Sequence, residues 1–93
     1  MRILTFDDFA SRVGQAYEAL YQGGSIPVTL ESAQPLPKSD RVGGSFRLVF
    51  RGPFEPILPQ SIYPIRRGSD VSEIFIVPIG RTPAGTEYEA LFL

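Results

Sequence analysis

The chain has 93 residues, the size of one small domain, and we expect residues 1–93 to fold as a single unit. Nine basic and ten acidic residues leave a net charge of -1, so no strong overall field attracts nucleic acid or an acidic membrane surface. Because cysteine and histidine are both absent, a disulfide framework, a thiolate zinc site and histidine-dependent catalysis are excluded.

A short helix is predicted at the start of the chain. Thr5 is placed as an N-cap, and Asp8 follows three residues later, where a carboxylate can accept the N-cap backbone N–H. The apolar residues that follow keep helical spacing as far as Gly14: Phe6, Phe9, Ala10 and Val13. We expect about two turns of helix.

The rest of the chain predicts strands. Six segments rich in aromatic and β-branched residues are separated by Gly, Pro and Ser turns: 16–21, 26–32, 46–51, 62–66, 71–77 and 87–92. Short links without a long helix favour antiparallel pairing, and so small a sheet must curl to bury one face. We therefore predict a mainly β fold of about six antiparallel strands, in a small, partly open barrel or sandwich capped by the N-terminal helix.

Side-chain alternation predicts the core. In residues 46–51, alternate positions place Phe46, Leu48 and Phe50 inward. Residues 74–77 are apolar on both faces, which predicts a central strand or one covered on its second side by the helix. Pro64 predicts an edge or bulged strand at 63–65. The expected core comprises Phe46, Leu48, Phe50, Ile74, Ile76, Tyr88 and Phe92, with Phe6 and Phe9 from the helix.

The residues give little support for catalysis, a metal or a cofactor. Lys38 is the only lysine, and therefore the only one that could activate a serine nucleophile. Glu87 and Glu89 share a strand face, which we interpret as a solvated face and not as a catalytic acid and base. Asp40, Asp70 and the N-terminal aspartates lie on separate segments without a calcium-loop pattern. Residues 44–50 faintly resemble an aromatic RNA-binding strand, but its two-helix context is missing. We expect no enzyme activity, no cofactor and no nucleic-acid partner.

The segment 52–60 is the most specific feature outside the strands. Its prolines recur every third residue, at 53, 56 and 59, which is the period of a polyproline II helix. Phe54 and Ile57 then share one ridge and Glu55 and Leu58 another. The segment either packs on the barrel or docks a partner, with the edge near Tyr63 open to β-addition.

The predicted partner-binding surface gathers these residues with a basic rim. It comprises Phe54, Ile57, Leu58, Tyr63, Arg51, Arg66 and Arg67. The arginines would favour an acidic or polar partner.

Several stretches along the chain carry a resemblance to a known family. They are LTFDDF at 4–9, FRGP at 50–53, LPQ at 58–60 with Tyr63, FIVPIG at 75–80 and YEALF at 88–92. The chain resembles a bacterial family of short domains of unknown function, often encoded beside phage tail-collar or tail-fibre-like proteins. The resemblance implies a non-enzymatic binding or assembly role, accessory to a phage-tail-like or fibre protein, and implies no site residue. A small-ligand pocket in the barrel mouth and a cryptic hydrolase are the alternatives.

The expected location is the cytoplasm. Asp7 and Asp8 lie where a signal peptide would need its apolar core. The longest later apolar stretch, residues 74–79, is too short to cross a membrane and contains Pro78. We expect a soluble protein without a membrane partner.

Overall fold

The chain folds into a closed six-stranded antiparallel β-barrel. The structure is a computed structural model that describes residues 3–37 and 40–93, so Lys38 lies outside the described residues. In the described part the elements are α1 (Asp7–Ala10), β1 (Ala16–Tyr21), β2 (Gly24–Pro35), β3 (Phe46–Gly52), β4 (Ser61–Arg67), β5 (Asp70–Thr82) and β6 (Gly85–Phe92). The strands follow one another around the barrel as β1-β2-β3-β6-β5-β4. The predicted class, six antiparallel strands and one short helix, is confirmed, and the barrel is closed rather than partly open.

Pairing of β1 with β4 closes the barrel. Two residue pairs form this seam, Glu18 with Arg66 and Ala19 with Ile65. On its other side β4 pairs with β5 along its whole length, with Pro64 opposite Glu73. Residues 63–65 were predicted as an edge or bulged strand. β4 is neither, because closure gives it a neighbour on both sides and its register with β5 has no shift, although the pairs with β1 stop at Ile65, next to Pro64.

Two strands are longer than predicted because bulges let them continue. β2 has a register shift between Leu30 and Ser32 and runs on to Pro35. β5 has a shift between Pro78 and Gly80 and runs on to Thr82. A bulge tolerates a residue without a backbone N–H, so β5 continues through Pro78, past the predicted end at residue 77.

The core fills the barrel interior. Of the predicted core residues, seven are buried: Phe9, Phe46, Leu48, Phe50, Ile74, Ile76 and Tyr88. The other two, Phe6 and Phe92, pack against the core and stay partly exposed. The Phe46 and Phe92 rings stack with centroids 4.3 Å apart. At Gly52 an added Cβ would lie only 3.2 Å from the Tyr88 ring, which shows how closely the strands are packed there.

The helix is shorter than predicted, a single turn at Asp7–Ala10. The Asp8 carboxylate accepts the Thr5 N–H at 2.7 Å, as expected, but the N-cap position falls on Phe6. Phe9 packs on the Phe46 and Phe92 rings and covers one end of the barrel. Within the described residues no helix is long and apolar enough to cross a membrane.

Candidate binding surfaces

The segment between β3 and β4 closes the other end of the barrel. Leu58 is only 3% exposed and belongs to the core. Its backbone N–H donates to the Tyr88 hydroxyl at 3.0 Å. Tyr63 is also buried, and its hydroxyl donates to the Pro59 carbonyl oxygen. Leu58 and Tyr63 therefore serve packing and do not lie on an open docking surface, because the barrel interior needs an apolar plug at this end.

Phe54 and Ile57 do remain at the surface, 47% and 42% exposed. The Arg81 guanidinium lies 3.5 Å from the centre of the Phe54 ring, and its Nη2 donates to the Phe54 carbonyl oxygen at 2.9 Å. The Thr86 hydroxyl donates to the same oxygen at 3.2 Å. The chain bends at residues 54–56, so the segment is not one regular polyproline II helix. One face of Phe54 is thus already covered from within the chain.

The three arginines of the predicted basic rim are not brought together. Arg51 pairs with Glu31 at 2.9 Å on the outside of β2 and β3. Arg66 pairs with Glu18 at 2.8 Å across the β1–β4 seam. Arg67 ends β4 at the opposite end of the strand from the 53–60 segment. The prediction of a basic rim is wrong, since Arg51 and Arg66 form ion pairs between neighbouring strands and Arg67 lines a pocket.

Charged neighbours on the outside of the barrel shift two carboxyl pKa values in opposite directions. The hydrogen bonds and charge of Arg66 lower the pKa of Glu18. A hydrogen bond with Glu87 raises the pKa of Glu31, and burial and the Glu87 charge add to this, while Arg51 opposes it. Glu31 and Glu87 therefore lie close enough for two negative charges to repel each other.

An exposed apolar stripe crosses the outside of three neighbouring strands. Its members, Ile62, Phe75 and Leu91, are 58%, 50% and 49% exposed. Ile62 is the registered partner of Phe75. The last registered pair of β5 and β6 at this end is Val77 with Glu89, and Phe75 and Leu91 each lie two residues beyond it, on the same outward side of their strands. We call these three residues the outer stripe.

The outer stripe was missed from the sequence, although a signal was present. Residues 74–77 are apolar on both faces, a pattern that predicted a central strand or one with its second face covered by the helix. The helix contacts β2 instead and leaves Phe75 half exposed. Once the helix is known to be one turn long, the outward residues of β5 must face solvent.

The strand next to the outer stripe, β3, has an outward apolar residue that is covered. Val49 points outward from β3 and is nevertheless only 7% exposed. Its registered neighbour Glu89 on β6 forms an ion pair with Arg47, two residues before Val49 on β3. Long charged side chains thus screen Val49. Arg47 is also the registered partner of Leu91, which nevertheless stays 49% exposed, as do Ile62 and Phe75 opposite each other.

A pocket lies at the barrel end beside α1. It has a volume of about 70 Å³ and is lined by Leu4, Asp8, Phe9, Arg12, Tyr17, Ile65, Arg67, Asp70, Ser72 and Ile74. Closure of the barrel brings β1, β4 and β5 together here, so Asp8 and Asp70 share a cavity although the sequence placed them on separate segments. In the described part of the chain, no group of three or more Asp, Glu, His or Cys residues could hold a metal ion.

The Tyr17 hydroxyl is the unusual polar group of this pocket. Tyr17 is 6% exposed, and its hydroxyl oxygen is buried without a hydrogen-bond partner among the described residues. Burial raises the pKa of this hydroxyl, while the positive charges of Arg12 and Arg67 and the approach of the Arg12 guanidinium to the hydroxyl oxygen act in the opposite direction. The two guanidiniums therefore lie around a buried hydroxyl that has a free donor.

The fold and these surfaces define a small closed antiparallel barrel, plugged at both ends, with one apolar outer face and one polar pocket. Residues 4–92 match the family described as Domain of unknown function (DUF6916), and the chain belongs to that family. Neither the comparison with curated proteins nor that with solved structures gives a match.

Proposed function

We propose that this domain is a non-enzymatic protein-binding module, which docks a partner protein on the outer face of β4, β5 and β6. The observation that carries the proposal is the outer stripe, in which Ile62, Phe75 and Leu91 lie side by side on adjacent strands and are each about half exposed. Single exposed apolar residues are ordinary, but a contiguous group on one rigid face is typical of an interaction site.

The outer stripe has the size of an interface centre. Burying the exposed half of three large apolar side chains contributes roughly 2–4 kcal/mol. A standard interface covers about 800 Å² of each partner, about one-seventh of the 5617 Å² surface described here. The partner must therefore reach beyond the stripe. The ion pairs Arg47–Glu89 and Glu18–Arg66 lie on either side of it and supply a polar rim of balanced charge.

The rigidity of the strands favours the outer stripe over the 53–60 segment as the docking site. The stripe residues belong to strands hydrogen-bonded on both sides in a closed barrel, so they lose little conformational freedom on docking. β-addition is not the mode, because closure leaves no free edge strand in the described barrel. The partner is recognised by side chains, with the two half-exposed residues Phe54 and Ile57 as a secondary contact.

The partner class we propose is a tail-fibre-like or collar-like protein of a phage-derived bacterial assembly, met in the cytoplasm. The motif resemblance described above supports this choice. The balanced rim charge supports it further, because it selects no strongly charged ligand such as nucleic acid. A second copy of the chain is the competing occupant.

Partner recovery from the native host tests the proposal. The test variant is Phe75→Thr with Leu91→Thr, which keeps strand-forming residues while removing the apolar area. The matched control is Val71→Thr, because Val71 is 53% exposed on the same strand but pairs with Arg66 outside the stripe.

We expect mass spectrometry to find a fibre-like partner with the wild type and the control and to lose it with the double variant at an unchanged melting temperature. Equal recovery with all three proteins would overturn the proposal. A change in sedimentation of the purified protein, without any other protein recovered, would assign the face to a second copy.

A further inference from the structure

A second binding site is carried by the pocket beside α1. We propose that this pocket binds a small monocarboxylate, with its carboxylate between Arg12, Arg67 and the Tyr17 hydroxyl and its short apolar stem against the pocket floor. The site is distinct from the outer stripe, since its residues face the barrel end and the stripe faces outward.

The Tyr17 hydroxyl points to a ligand because burial without a partner is costly. An unsatisfied buried polar group destabilises a fold, and buried polar groups are almost always hydrogen-bonded. Tyr17 is more than nine-tenths buried, and its hydroxyl proton has no acceptor in residues 3–37 and 40–93. A carboxylate oxygen in the pocket would accept its proton in a hydrogen bond.

The two arginines select a negative charge. Arg12 and Arg67 line the pocket, and their charges act on the Tyr17 hydroxyl. Neither forms an ion pair with a described residue, although Arg51 and Arg66 on the outer face both do. Unpaired guanidiniums beside a free donor are the arrangement that holds a carboxylate.

The other lining residues restrict the ligand further. Asp8 and Asp70 also line the pocket and would repel the second charge of a dianion such as phosphate. Leu4, Phe9 and Ile65 supply an apolar floor for a short stem. The pocket volume of about 70 Å³ is several times the roughly 10–15 Å³ that one water molecule needs on the same measure. The pocket therefore admits a carboxylate with a few carbon atoms.

The test is an NMR titration of the full chain with sodium butyrate, using sodium chloride at equal ionic strength, neutral butyramide and sodium phosphate as comparisons. We expect saturable amide shifts at the pocket residues with butyrate alone. Tyr17→Phe should weaken binding about 10-fold to 100-fold, because one hydrogen bond to a charged group is lost. Removal of an unpartnered hydroxyl should not prevent folding.

Arg67→Gln provides the second variant and should weaken butyrate binding at least about tenfold. Arg66→Gln is its matched control, since Arg66 is the adjacent residue but pairs outward with Glu18. The proposal is overturned if the wild type shows no saturation, if butyramide or phosphate binds as well as butyrate, or if Tyr17→Phe and Arg67→Gln bind like the wild type.

Discussion

Replacement of Leu58 by alanine tests how the barrel end is closed. Leu58 is 3% exposed within the core, and its N–H is held by the Tyr88 hydroxyl. Leu→Ala changes at such sites cost about 2–5 kcal/mol, a large part of the roughly 5–10 kcal/mol expected for a domain of this size. Ile57→Ala is the matched control, because Ile57 precedes it in the chain but is 42% exposed. We expect the control to cost less than about 1 kcal/mol.

Urea unfolding followed by circular dichroism measures both variants, with a thermal melt as a second readout. Each kcal/mol lowers the melting temperature by about 4–8 °C in a domain of this size, so Leu58→Ala should melt at least about 8 °C below the wild type. Tyr88→Phe, made in the wild type, should by itself lower the free energy of unfolding by about 1–3 kcal/mol, because it leaves the Leu58 N–H buried without an acceptor. If Leu58→Ala and Ile57→Ala cost the same, the segment does not plug the barrel and this reasoning is refuted.

Three further predictions follow from the packing and charges. Phe50→Ala should cost about 3–5 kcal/mol in urea unfolding, because its ring is 1% exposed at the barrel centre; a melting temperature within a degree or two of wild type would contradict its placement. Gly85→Ala should prevent folding or destabilise strongly, since Gly85 has φ +143° and an added Cβ would collide with a backbone oxygen, whereas Gly80→Ala meets open space and should be tolerated. The folded-state pKa of Glu31 is raised. The stability that Glu31 contributes to the folded state is therefore fully present below its unfolded pKa and is lost as pH rises through its folded pKa. Glu87→Gln should therefore stabilise more at about pH 7 than at about pH 4, and an equal effect at both would contradict the repulsion.

Local patterns were enough to predict the strands and most of the core. The alternation in residues 46–50 requires only the two-residue period of a strand, and Phe46, Leu48 and Phe50 are buried as predicted. Closure could not be derived in this way, because the β1–β4 seam joins segments far apart in sequence through only two pairs. The edge strand expected from Pro64 was wrong for that reason.

The candidate sites were harder to predict than the fold. The three-residue period placed Leu58 with Glu55 on one ridge, but Leu58 is buried and Glu55 is exposed, because the segment bends at residues 54–56. The pocket combines Arg12 and Tyr17 with residues after position 60, and no local spacing relates those segments. Predicting the outer stripe required the correct length of the helix. The helical spacing of apolar residues continued past Ala10 to Val13, which is exposed, so the sequence overestimated that length.

Site-specific photocrosslinking in the native host is the most direct test of the proposed docking face. A photoreactive phenylalanine analogue placed at Phe75 or at Phe54 compares the outer stripe with the 53–60 segment, since both side chains are about half exposed. Placement at Val42, which is 71% exposed in the loop between β2 and β3, gives the background. We expect a discrete crosslinked protein band at position 75, a weaker one at 54 and none at 42. Equal crosslinking at 75 and 42, or a band at 54 without one at 75, would contradict docking through the outer stripe.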